Sequence, residues 1–124
     1  MSIQVVNVRG MTPDHNVVDY VGRKWAGWNQ SALGNPYKKF PKKMNTQPME
    51  STIQMYRRWL WARIQANDEA VMKELFRLAW KAKQDHVLLG CWCHPGPCHA
   101  DVVQSCVEWI IRDYLGGMDN VTTV

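Results

Sequence analysis

The chain reads as a single α/β domain with a mainly parallel sheet flanked by helices, and three observations predict it. Two short β-branched runs lie near the N-terminus, Ile3–Arg9 and Val17–Gly22. An uninterrupted apolar run, Val87–Cys93, has the character of a strand buried on both faces. Helical periodicity fills the stretch before that run and returns after it, so strands and helices alternate along the sequence. The 124 residues, 46% hydrophobic and 21% charged, fit one domain spanning 1–124. A chain of this size buries about two-thirds of its unfolded surface and needs no disulfide or metal to stay folded.

Each element has its own signal. Gly10 closes the first strand, and Met11–His15 forms the loop to the second. Residues 23–50 then hold Gly27, Gly34, Pro36, Pro41 and Pro48 with no sustained period. Such a long loop in a small domain is often functional, and Trp25, Trp28, Tyr37 and Phe40 suit it to packing. Ser51 and Gln54 have the spacing of a capping box. Ile53, Tyr56, Leu60 and Ile64 follow at helical spacing, with Trp59 and Trp61 beside the stripe. Asp68 is placed to cap a second helix whose buried face is Val71, Leu75, Leu78 and Ala79. Beyond His94–Pro97 a third helix carries Val103, Val107, Ile110 and Tyr114 on one face, and Gly116-Gly117 stops it. The order β-β-loop-α-α-β-α describes a small Rossmann-like sandwich.

Composition excludes several classes. No apolar run approaches the roughly 18 residues of a membrane span, so no membrane partner is predicted. Met1–Gln4 lack a basic leader followed by an apolar stretch, which predicts no secretory signal and a cytoplasmic location. The four cysteines are then thiols or metal ligands rather than bridges. The net charge of +4 is local: residues 1–49 carry seven basic and two acidic side chains, while residues 50–124 carry eight and nine. The densest part is Lys38–Lys43, a solvated loop or a nucleic-acid surface.

The residues able to carry chemistry concentrate in Cys91–Asp101. Zinc accepts thiolates and imidazoles, but C-x-C-x4-C-H departs from the usual paired spacing, and no metal is predicted. Cys91, Cys93 and Cys106 read as buried hydrophobes. Cys98 and His99 stand at the start of the third helix, after a strand and a Gly/Pro loop. Free amides and the positive helix end make such a place an anion site, and ligands of open α/β sheets gather at the carboxyl ends of strands. The helix end would also lower the pKa of Cys98. Asp101 complements the helix dipole or accepts from a ribose hydroxyl.

Three weaker signals join it. Arg23 follows a strand and is available to a phosphate or carboxylate. Asn35, in the Gly34-Asn35-Pro36 turn, either bonds a ligand or caps the turn. Trp25 and Trp28 lie beside Arg23, where an indole stacks on a base. Trp59, Trp61, Trp80 and Trp109 sit at helical positions suited to core or interface. Arg57 and Arg58 reach a phosphate if their helix borders the site. No Ser-His-Asp set, Walker loop, HExxH or GxGxxG is present, and no cofactor is predicted.

Taken together, Val5–Arg9, Tyr20–Arg23, Leu33–Pro36, Tyr56–Leu60 and the Cys91–Asp101 motif CWCxPxxCHAD resemble a small domain family of unknown function found in phages and bacteria. The resemblance covers nearly the whole chain except the basic insertion Lys38–Lys43. It implies a shared fold and supplies no activity.

Three functional readings follow. In the first, the protein binds a small phosphorylated nucleotide-type ligand through Arg23, Trp25, Asn35, Cys98, His99 and Asp101. A phage-encoded version would be a homo-oligomeric sponge in the host cytoplasm that sequesters a nucleotide-derived immune signal, ADP-ribose-like or cyclic, as an anti-defence protein. In the second, it is an enzyme that processes a nucleotide or nucleoside with Cys98, His99 and Asp101. A third reading, nucleic-acid binding through Lys38–Lys43, predicts affinity that falls steeply with salt.

Overall fold

The computed structural model describes residues 2–36, 49–91 and 98–116, and side chains within 49–52 are outside that description. The elements are β1 (Ser2–Asn7), β2 (Asp19–Tyr20), α1 (Met49–Gln65), α2 (Glu69–Gln84), β3 (His86–Cys91) and α3 (His99–Tyr114). The sheet has the order β1-β3-β2, and both pairings are parallel. The fold class is α/β with a parallel sheet, as the alternation of elements predicts.

The apolar run of β3 occupies the centre because it alone can be covered on both faces. Val87, Leu89 and Cys91 join Ile3 and Val5 in a core that takes side chains from all three helices, Tyr56 and Leu60, Leu75 and Leu78, Val103 and Ile110 among them. The opposite face carries Val6, Val8 and Leu88 and is closed by Val18, Tyr20 and Trp28 from the segment after β1. The helices therefore share one face, and a loop covers the other. Gly90 makes that loop fit. A Cβ there would stand 2.5 Å from Val18 Cγ1 and 2.8 Å from Val8 Cγ1.

Three boundaries differ from the sequence reading; the first strand, read as Ile3–Arg9, is Ser2–Asn7. The second strand is shortened to Asp19–Tyr20, because the amides of Val17 and Val18 turn back to the Asp14 carbonyl at 3.2 and 3.1 Å. After Tyr20 only the Val21 amide reaches β3, at the Gly90 carbonyl, 3.0 Å away. Helix α1 begins at Met49, so Ser51 lies within its first turn rather than at a cap. Met and Glu are good helix formers and extend the helix backward. Asp68 caps α2 as predicted, its Oδ1 accepting from the Val71 amide at 3.2 Å. Helix α3 stops at Leu115, whose carbonyl accepts from Lys83 Nζ.

One buried carboxylate ties sheet to helix. Asp19, at the start of β2, accepts from Arg77 Nη2 at 3.0 Å and from Lys81 Nζ at 2.7 Å. The remaining lone pairs of a buried carboxylate need such donors.

Candidate functional site

Parallel strands end together, so their following segments meet at one edge of the sheet. Here that edge gathers Val21–Arg23 after β2 and Cys98–Asp101 at the start of α3. His99 joins them. Its ring is buried, and Nε2 lies 2.7 Å from the Val21 carbonyl. A carbonyl only accepts, so Nε2 carries the proton and Nδ1 is left as an acceptor, 3.7 Å from Cys98 Sγ. Burial holds the imidazole below its ordinary pKa. The Val21 hydrogen bond and the charges of Cys91 and Asp101 oppose that shift, while Arg23 adds to it.

Tyr56 reaches the same place from α1. Its ring meets His99 edge-on at 5.1 Å, and its hydroxyl donates to the Leu33 carbonyl at 2.6 Å. Leu33 belongs to the Leu33–Pro36 turn, which is itself pinned to the segment after β2. The Ser31 amide donates to the Gly22 carbonyl at 3.0 Å. A Cβ on Gly34 would lie 3.1 Å from that same oxygen, closer than an ordinary contact, so glycine lets the two backbones close without a shift. The contacts form a circuit: Val21–Gly22, Ser31–Gly34, Tyr56, His99 and back to Val21. Four motifs far apart in the chain meet in one knot.

Cys98 is the N-cap of α3. Its Sγ accepts from the Ala100 amide at 3.4 Å, and its carbonyl accepts from the Asp101 amide at 3.1 Å. Two of the amides expected to bind an anion, those of Ala100 and Asp101, are thus already engaged by the chain. Cys98 is also only 2% exposed, so its sulfur at the helix start is closed to solvent. Cys106, on the next turns of α3, is partly buried, and burial pushes its thiol up to about 11.

Beside the cap opens a cleft of about 330 Å³. Among the described residues it is lined by Ile53, Gln54 and Arg57 of α1 and by Cys98, Asp101, Val102 and Ser105 at the start of α3. Arg57 and Asp101 are exposed and bring opposite charges to it. Ile53 with Arg57, and Cys98 with Asp101, Val102 and Ser105, are spaced three or four apart, so each set shares one helix face. That spacing is the signal that could have placed Arg57 and Ser105 beside Asp101 from sequence.

Of the predicted site residues, Cys98 and Asp101 line the cleft. His99 lies behind them in the knot, and Arg23 is close enough to His99 to act on its charge. Asn35 is half-buried at the end of the Leu33–Pro36 turn. Trp25 is exposed on a separate tight turn, bridged to Trp28 across Ala26 and Gly27, both at positive φ. Trp28 does not face outward; it is buried and stacks on Tyr20 at 5.4 Å. Trp61 and Trp80 are exposed rather than core, whereas Trp59 and Trp109 are partly buried against it.

Among the described residues no group of three or more His, Cys, Asp or Glu is placed to hold a metal ion. Cys93 and His94 of the Cys91–His99 cluster, and the basic loop Lys38–Lys43, lie outside the described residues. No helix among the described residues is long and apolar enough to cross a membrane.

A domain of unknown function, DUF4326, matches residues 4–109, and the chain belongs to that family. No curated protein and no solved structure matches it.

Proposed function

We propose that this member of the DUF4326 family binds a small phosphorylated nucleotide-type ligand beside the start of α3, and acts by holding it rather than converting it. The observation that carries the reading is the cleft in which Arg57 and Asp101 face one space of about 330 Å³. Ligand pockets begin at roughly 300 Å³, enough for a mononucleotide. An arginine at one wall suits a phosphate, to which it offers two parallel N–H donors. A carboxylate at the other wall suits ribose hydroxyls, which it accepts from. Arg23 adds positive potential near the cap, offsetting the amides that Cys98 has taken.

Holding is favoured over turnover by what has become of the groups an enzyme would use. The Cys98 sulfur is buried in its capping role, and His99 Nε2 is committed to Val21. The finer form of the proposal is sequestration of a nucleotide-derived signal, such as an ADP-ribose or a cyclic nucleotide, by a homo-oligomer.

The test incubates the full chain with AMP, cyclic AMP and ADP-ribose, separates the free fraction by filtration and heat-denatures the protein. Mass spectrometry reads both fractions. A compound depleted from the filtrate and recovered unchanged supports the proposal, and Arg57→Gln should weaken its retention about tenfold or more. A converted mass would establish an enzyme instead. No depletion of any of the three would remove the nucleotide reading.

A further inference from the structure

We infer that the outer groove between α1 and α3 seats a second copy of this chain, in an isologous dimer. The groove has a volume of about 520 Å³ and an apolar floor of Leu60, Ile64, Val102 and Cys106. Trp61 and Trp109 stand across it edge to face, 6.0 Å apart, and Trp61 is 50% exposed. Burying an exposed tryptophan of this kind is a large gain, and tryptophan and arginine are the residues that concentrate at interface centres.

Charge decides which occupant fits. On the α1 bank Arg57 and Arg58 are exposed, and on α3 Asp101 and Glu108 are exposed. None of the four is in an ion pair among the described residues, whose salt bridges all involve other side chains. Arg112, one turn past Glu108, is paired with Asp113 at 3.4 Å, so the α1 bank is positive and the α3 bank negative, with an apolar seam between them. Arg57–Ile64 of α1 face Val102–Trp109 of α3 along this seam, so the helices lie side by side.

A two-fold axis along the seam lays α1 of each copy over α3 of the other. The basic bank then meets the acidic bank twice, and the apolar floors close on each other. A two-fold axis across the seam would set arginine on arginine, which the charges oppose. An anionic surface would leave the acidic bank repelled. A surface that complements itself needs no other partner.

The dimer does not rest on the ligand reading, although the cleft and the groove share Arg57, Val102 and Ser105. It is tested on residues outside the cleft. Sedimentation equilibrium of the full chain at low salt should give a dimer. Arg58→Glu and Glu108→Arg should each weaken it about tenfold or more, and the double variant should recover most of the loss. Trp61→Glu should give a monomer with unchanged circular dichroism, since Trp61 is exposed. A monomeric parent chain would overturn the inference. So would a dimer indifferent to all three single substitutions, or a double variant as weak as the singles.

Discussion

Tyr56→Phe removes one oxygen and leaves the rest of the knot in place. The Tyr56 side chain is fully buried, and its hydroxyl donates to the carbonyl of Leu33, also fully buried, at 2.6 Å. Burial pushes the phenol well above its ordinary pKa, so it remains a donor throughout the usable pH range. Phenylalanine keeps the ring edge against His99, seen here at 5.1 Å, so packing between α1 and α3 should survive. What is lost is the partner of a buried carbonyl, and leaving such a group unsatisfied costs about 1–3 kcal/mol.

For a chain of this length each kcal/mol lowers the melting temperature by roughly 4 °C, so the expected drop is about 4–12 °C. Thermal unfolding followed by circular dichroism measures it directly. A drop below about 1 °C would show that the Leu33 carbonyl finds another donor. In that case the Leu33–Pro36 turn would not be fastened through Tyr56, and the circuit of contacts would be open at this point.

Three further outcomes follow from neighbouring features. Gly90→Ala puts a methyl 2.5 Å from Val18 Cγ1. Overpacking of this kind costs about 1–3 kcal/mol, and Val18→Ala in the same chain should recover part of it in urea unfolding; equal loss in both would put the clash on Val8 Cγ1, 2.8 Å from the new methyl, instead. Asp19→Ala frees Arg77 and Lys81, both partly exposed. The loss should be about 1–2 kcal/mol, below that of a fully buried pair, because both cations can turn to water; an unchanged urea midpoint would mean the pairs add nothing.

The His99 pKa lies below that of the unfolded chain, ordinarily near 6.5. As pH falls past about 6.5 the unfolded state takes this proton first, so stability present above that pH is lost below it. His99→Gln, which keeps a donor for Val21, should flatten this acid limb relative to the parent chain, and parallel limbs would refute the assignment.

What was legible in the sequence is what depends on near neighbours. The Asp68 cap, the period of α2 and the apolar run of β3 each declare themselves within a turn or a few residues, and all three stand in the structure. The contacts that tie the fold and build the site span greater distances: Asp19 to Lys81 across 62 positions in the first, His99 to Val21 across 78 and Tyr56 to Leu33 across 23 in the second. No local pattern encodes them. Trp25 and Trp28 illustrate the limit, since two tryptophans three apart in one loop read alike. One is exposed, and the other fills the space between Tyr20 and His15. Only the closure of the loop over Gly90 separates them.

That distinction extends to the motifs themselves. The histidine, tyrosine and glycines that make them recognisable spend their polar atoms and their missing side chains on one another, in the circuit through Val21, Gly34, Tyr56 and His99. Their substitution should therefore act first on stability. Arg57 and Asp101 are different, because each is exposed and in no ion pair among the described residues. Removing either leaves no buried group unsatisfied, so the fold should tolerate it within about 0.5 kcal/mol. The two classes can be separated in one experiment that reads melting temperature and nucleotide retention on the same variants. Tyr56→Phe should lower the first more than the second, and Arg57→Gln should do the reverse. If Arg57→Gln lowers the melting temperature as much as Tyr56→Phe with its oligomeric state unchanged, the cleft is a structural joint between α1 and α3, and the ligand must be sought elsewhere on the molecule.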